Sequence, residues 1–212
     1  MVATSPVLVI ACGALAREIT SLKRMNGWGH LTVTCLAPEL HNRPERITGA
    51  VVEAVAEGRS QGFEKIFVGY ADCGTGGELD RAIAPLGIER LPGAHCYEFY
   101  ASSRQFEALH DAEPGTFYLT DFLVRHFDRL VFQSLGLDRH PQLAAEYFRH
   151  YTRVVYLRQD TDAGLDERAL AAAQALGLPL TFVDTGYGDL KHTIADWTKR
   201  TGIGVIAEPG NH

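Results

Sequence analysis

Apolar residues along this chain keep two rhythms. Short β-branched runs are followed by stretches in which apolar positions recur every three or four residues, the signatures of buried strands and amphipathic helices. Val7 to Ala11 is the first run, and Cys12-Gly13 turns it into the helix-compatible stretch Ala14 to Met25. Leu31 to Leu36 is the second run. It is followed by a Pro38 to Pro44 loop and by Ile47, Val51, Val52 and Val55 at helical spacing. Ile66 to Ala71 is the third, and Asp72-Cys73-Gly74-Thr75-Gly76-Gly77 leads from it into a helix through Ala84. Ile88 to Leu91 reads as a short strand, stopped by Pro92-Gly93 ahead of His95-Cys96-Tyr97-Glu98 and a helix through about Leu109, with Cys96 at the loop-to-helix junction. Thr116 to Leu119 is extended, and Thr120-Asp121 caps an aromatic-rich helix to Phe132. A helix Gln142 to Tyr151, the strand Val154 to Leu157, an Ala-rich helix Asp166 to Leu176 and the strand Leu180 to Val183 follow. The pattern closes with a helix Asp189 to Arg200 and a strand Ile203 to Ile206.

Strands alternating with helices of this length require right-handed crossovers. The expected fold class is therefore α/β: a layered, mostly parallel, Rossmann-like open sheet with helices on both faces. The turns Val9-Ile10-Ala11-Cys12-Gly13 and Gly69-Tyr70-Ala71-Asp72-Cys73-Gly74 read alike. Two related halves sharing a core are thus the open alternative to one α/β domain over residues 1–212.

Charge narrows the partners. Twenty Lys and Arg against 26 Asp and Glu give a net charge of −6, so no broad attraction draws the chain to nucleic acid or anionic lipid. No apolar run is long enough to cross a bilayer, and no basic segment precedes the first apolar stretch. We expect a cytoplasmic protein without membrane or nucleic-acid partners. In that reducing compartment the four cysteines read as ligands, reactive thiols or small core residues rather than disulfides.

In a parallel sheet all strand carboxyl ends share one edge, where ligands bind. Cys12 and Cys73 follow the first and third strands, and Cys96 reaches the same edge if it follows a fourth. Three thiols distant in sequence can then share an ion, with His95, Glu98, Asp72, water or a substrate in the fourth place. Zinc is the first choice of cofactor and an iron–sulfur cluster the second, since thiolates suit both metals. Placement near helix starts also suits metal-free reactive thiols. Cys35 lies inside a strand run and is expected in the core.

Gly13, Gly74 and Gly76 are candidates for close backbone approach to a ligand, and Arg17 for neutralising an anion. The glycine-rich turn lacks the Gly-Lys-Ser/Thr ending of a phosphate loop and the spacing of a dinucleotide fingerprint. Arg125 and His126 sit among Phe122, Phe127 and Leu130, so one of them can point into a cleft. Tyr97, Phe99 and Tyr100 can wall a pocket or simply pack.

The segments Val9 to Gly13, Asp72 to Gly77, Gly93-Ala94-His95-Cys96-Tyr97-Glu98 and Pro114-Gly115-Thr116-Phe117-Tyr118-Leu119-Thr120 resemble a bacterial and archaeal family of uncharacterised function. Its members are often encoded beside corrinoid-dependent methyltransferase components. The resemblance spans nearly the whole chain, with Cys12, Cys73 and Cys96 at the family's cysteine positions, and departs from it at Thr120-Asp121-Phe122-Leu123. It implies a place in one-carbon or methyl metabolism and nothing sharper; a small-molecule ligand, with a corrinoid protein or methyltransferase as partner, is the expectation we draw from that association. Two classes of function stay open: a metal-thiolate methyl- or thiol-group transferase, and a non-catalytic carrier of metal, cluster or cofactor. An organic-ligand sensor with buried cysteines is a third.

Overall fold

In the computed structural model, which describes residues 6–200, every residue of the first strand, β1 (Val7–Cys12), is buried. A strand of that kind must be covered on both faces and flanked on both edges. It is paired in parallel with β2 (Leu31–Leu36) on one side and β3 (Lys65–Gly69) on the other, and β3 pairs in parallel with β4 (Glu89–Arg90). The sheet order is β2-β1-β3-β4. Helices α1 (Ala16–Met25), α2 (Ile47–Ser60) and α3 (Glu78–Ile83) make the crossovers. Pro92 cannot donate to a ladder, which fits the brevity of β4.

The chain divides into two compact units, residues 97–189 forming the second and the remainder the first. The helix Leu190–Arg200 returns to the first unit, where Trp197 packs on Phe67 with ring centroids 4.9 Å apart.

The second unit begins with α4 (Glu98–Ala101) and α5 (Ser103–Ala112), where one continuous helix was expected. Ser102 breaks it, with φ of 58° and its hydroxyl accepting from the Gln105 N–H. Strand β5 (Thr116–Thr120) leads into α6 (Asp121–Arg125), and the single helix expected to Phe132 gives way to a π-helical segment, Asp128–Gln133. The short α7 (Ala144–Tyr147), β6 (Arg153–Arg158), α8 (Ala163–Leu176) and β7 (Leu180–Asp184) complete it. Its sheet order is β5-β6-β7, again all parallel.

Alternation along β6 divides the core of this unit. Val154 and Tyr156 belong to one cluster with Val124, Val131, Leu165 and Ala169, whereas Val155 and Leu157 join Ala101 and Phe106 in another. Because successive side chains point to opposite faces, α6 and α8 cover one face of the sheet and α4 and α5 the other. Among the described residues the protein is thus α/β with two parallel-only sheets, four strands in one and three in the other. The Ile203 to Ile206 strand lies outside the described residues.

Cys35 departs from expectation: it is exposed rather than in the core. Strand β2 is an edge strand, and most of its residues after Leu31 are only partly covered. A β-branched run alone does not distinguish a central strand from an edge.

Candidate functional site

Parallel pairing in the four-stranded sheet puts the carboxyl ends of β1, β3 and β4 on one edge. Cys12 is the last residue of β1, Tyr70 to Cys73 follow β3, and Cys96 follows β4 through the Pro92-Gly93 turn. The structure brings these three thiols together. Cys73 Sγ and Cys96 Sγ lie 2.9 Å apart, and the Cys96 thiol also hydrogen-bonds with Cys12. Cys12 and Cys96 are 3% and 6% exposed, with Cys73 between them and solvent in accessibility.

The two loops are laced together by their backbones. The Cys73 N–H donates to Ala94 O at 2.8 Å and the Asp72 N–H to Gly93 O at 3.1 Å. Cys73 itself takes φ of 49°, a conformation that costs a non-glycine residue free energy and persists only when its surroundings impose it. The Asp72 carboxylate supplies part of that constraint, accepting from Gly77 N–H (2.8 Å), Thr75 Oγ1 (2.8 Å) and Gly76 N–H (3.1 Å). Those bonds, the Gly77 one foremost, hold Asp72 below the usual carboxylate range. At the end of β4, Arg90 is clamped by Asp80 at 2.6 and 2.7 Å and donates to Leu91 O at 2.6 Å.

Within the trio the thiols are not equivalent. Cys12 is pushed down, first by the hydrogen bond from Cys96 and then by the Ala14 N–H and Tyr70, against the opposing effect of burial. Cys96 is pushed well up by donating to Cys12 and Cys73 and by its own burial. These hydrogen bonds favour the ionised form at Cys12 over that at Cys96, which acts as the S–H donor of the set. Cys35, opposite Ala11 on β2, is raised by partial burial of its sulfur and by the charge on Cys12.

Tyr70 is the residue that sequence reasoning missed. It is 1% exposed, and its hydroxyl lies within reach of Cys12 yet has no partner that meets hydrogen-bond geometry. Burial and then the charges of Cys12 and Cys96 raise its pKa above the ordinary tyrosine value. In the sequence it reads only as an apolar position near the end of the strand run Ile66 to Ala71. His41 was also missed, because the Pro38 to Pro44 stretch reads only as a loop; it is exposed overall, but packing around its ring and the positive charge of His95 hold it below the ordinary histidine value.

His95 is half-buried beside Cys96. Gly13 and Gly74 serve close packing of the chain on itself: a Cβ at Gly13 would meet Leu36 O at 2.8 Å, and one at Gly74, where φ is 86°, would meet the Pro44 ring at 3.2 Å. Gly76 contributes its N–H to Asp72, and Arg17 is exposed on α1. Tyr97 stacks on Tyr118 with centroids 5.5 Å apart, a packing role within the second unit.

Among the described residues, no group of three or more His, Cys, Asp or Glu side chains could hold a metal ion as they stand. A tetrahedral zinc with bonds near 2.3 Å keeps its sulfurs about 3.8 Å apart. Cys73 and Cys96, at 2.9 Å, would have to separate by about 1 Å to share one. The donor set itself is chemically suitable: three soft thiols, two of them shielded from water, beside a hydroxyl without a geometric partner.

Fold and site together define an α/β protein with a three-thiol cluster on the carboxyl edge of a parallel sheet. Residues 35–194 match the family described as Protein of unknown function (DUF1638), and the chain belongs to that family. Cys73 and Cys96 fall inside the matched region, and Cys12 precedes it. No curated protein and no solved structure gives a match. Among the described residues no helix is long and apolar enough to cross a membrane.

Proposed function

We propose that this protein is a metal-thiolate protein whose Cys12, Cys73 and Cys96 hold zinc, or failing that an iron–sulfur cluster, and act on a small methylated, thiol or corrinoid-linked ligand. The observation that carries the reading is the meeting of Cys12 and Cys73 on the common partner Cys96 at a ligand-binding edge of the sheet. When bound, zinc keeps thiolates deprotonated at neutral pH and polarises a further ligand. The chain's own part is to bury the sulfurs, to bias the proton from Cys12 toward Cys96, and to aim the Tyr70 hydroxyl at the cluster. The link to one-carbon metabolism, and a corrinoid protein or methyltransferase as partner, rests on the family resemblance. The same site in a carrier would release its metal readily, whereas a transferase would retain it through turnover.

Anaerobic purification with elemental analysis and an absorption spectrum is the test. About one zinc per chain, or a brown iron–sulfur chromophore, is the expected result. Titration with methylcobalamin, followed in its visible spectrum, then tests the ligand class.

The 2.9 Å separation of Cys73 and Cys96 favours one second reading, a dithiol that exchanges with small disulfides. One thiolate attacks the incoming disulfide and expels one thiolate; the other resolves the mixed disulfide and expels the second, leaving Cys73–Cys96 oxidised and the substrate reduced to two thiols. Metal-free protein in which mass spectrometry finds that bond after treatment with oxidised glutathione would favour it over the metal site.

A further inference from the structure

The second unit contains a cavity of about 540 Å³, a size that suits a small ligand. Its lining is cationic. Arg125, Arg129, Arg168 and His126 border it, and Asp128 is the one carboxylate among the lining residues. Three guanidinium groups around one concavity repel one another, and an anion between them relieves that repulsion.

Both walls have a structural reason. On α8, Arg168, Ala171, Ala172 and Ala175 recur at i, i+3, i+4 and i+7, so they share a face, and the three alanines leave the space that the cavity occupies. Opposite them, the end of α6 and the π-helical segment carry Arg125 and Arg129 at i and i+4. Single π turns inside helices recur at functional sites. Arg125 is also anchored from behind. Its Nη2 lies 3.7 Å from Asp121 Oδ2, and Asp121 is only 2% exposed. The other carboxylate oxygen, Oδ1, accepts from Tyr156 Oη at 2.8 Å and from the Gln159 N–H at 3.1 Å. A buried, fully engaged carboxylate holding an arginine at a cavity wall is the second layer that a preorganised binding site needs.

We infer that this cavity is an oxyanion site for a small phosphorylated or polycarboxylate ligand. Guanidinium forks match both groups in geometry and charge. The site lies wholly within the second unit and does not depend on the thiol reading. The net charge of −6 argues against an extended polyanion as its occupant.

Isothermal titration of the full chain at low ionic strength with inorganic phosphate, pyrophosphate and citrate tests the assignment. Saturable binding is expected, weakened about tenfold or more by Arg168→Gln and by Arg125→Gln. Arg104→Gln, an exposed arginine of the same unit that is not among the lining residues, should leave it unchanged. Tighter binding of pyrophosphate than of citrate would assign a phosphoryl ligand, and the reverse a polycarboxylate; either upholds the site. Because Arg125 is tied to Asp121, its variant can lose its fold, and the exposed Arg168 then carries the test. Absence of saturable binding by all three anions up to about 10 mM would overturn the inference. So would equal weakening in Arg104→Gln, which would trace binding to diffuse surface charge.

Discussion

Tyr70→Phe separates a hydroxyl kept for a ligand from one kept for the fold. The substitution removes a single oxygen and leaves the buried ring in place. That oxygen has no protein partner meeting hydrogen-bond geometry, and a buried polar group so placed costs about 1–3 kcal/mol. Metal-free Tyr70→Phe should therefore be more stable than the parent by about 1 kcal/mol or more, a rise in Tm of roughly 2–4 °C for each kcal/mol in a chain of this size. With zinc the sign should reverse. The hydroxyl is within reach of Cys12, and losing a donor to a metal-bound thiolate typically weakens metal binding by about tenfold to a hundredfold. Both tryptophans, Trp28 and Trp197, belong to the first unit. Fluorescence-detected urea unfolding thus reports on the unit that holds Tyr70, and competition with a chromophoric chelator gives the zinc affinity. A metal-free variant less stable by about 0.5–1.5 kcal/mol, the net worth of an ordinary hydrogen bond, would refute the reasoning. The hydroxyl would then be satisfied by Cys12 and need no ligand.

Cys12→Ser, Cys73→Ser and Cys96→Ser should each lower the zinc-to-protein ratio in anaerobic preparations, whereas Cys35→Ser, exposed on the edge strand, should keep it and change stability by less than about 0.5 kcal/mol. Equal metal content in all four variants would remove the proposed site. Asp80 is held below its ordinary range chiefly by Arg90. Its folded pKa lies under the unfolded one, so its contribution is present above about pH 4 and is lost as pH falls through the folded value. The gap in urea midpoint between the parent and Asp80→Asn should be constant from pH 6 to 8 and should close below about pH 4; a gap that closes near neutrality would contradict this. At Gly188, where φ is 44°, an added Cβ would collide with the carbonyl oxygens of Phe99 and Tyr100. Gly188→Ala should cost about 3 kcal/mol or more, read from urea unfolding followed by circular dichroism, and a cost under about 1 kcal/mol would show that the collision relaxes freely.

Much of this protein was legible in its hydrophobic rhythm. The runs at Val7 to Ala11, Ile66 to Ala71 and Val154 to Leu157 became strands, and alternation with helices led to parallel pairing, because strand and helix periods are local properties of the chain. The placement of Cys12, Cys73 and Cys96 on one sheet edge followed from topology, since every parallel strand ends on the same side. Tertiary structure decided the rest. Whether the seven described strands form one sheet or two depends on which edges meet, and no local period encodes that. Cys35 lies in a β-branched run yet is exposed, because edge and centre differ only in their neighbours. Tyr70 looked like an apolar residue ending a strand, and only the three-dimensional neighbourhood reveals that its hydroxyl ends beside three sulfurs. Likewise, the arginines of α6, the π-helical segment and α8 are ordinary helix-surface residues in the sequence; they border one cavity because packing brings those segments face to face.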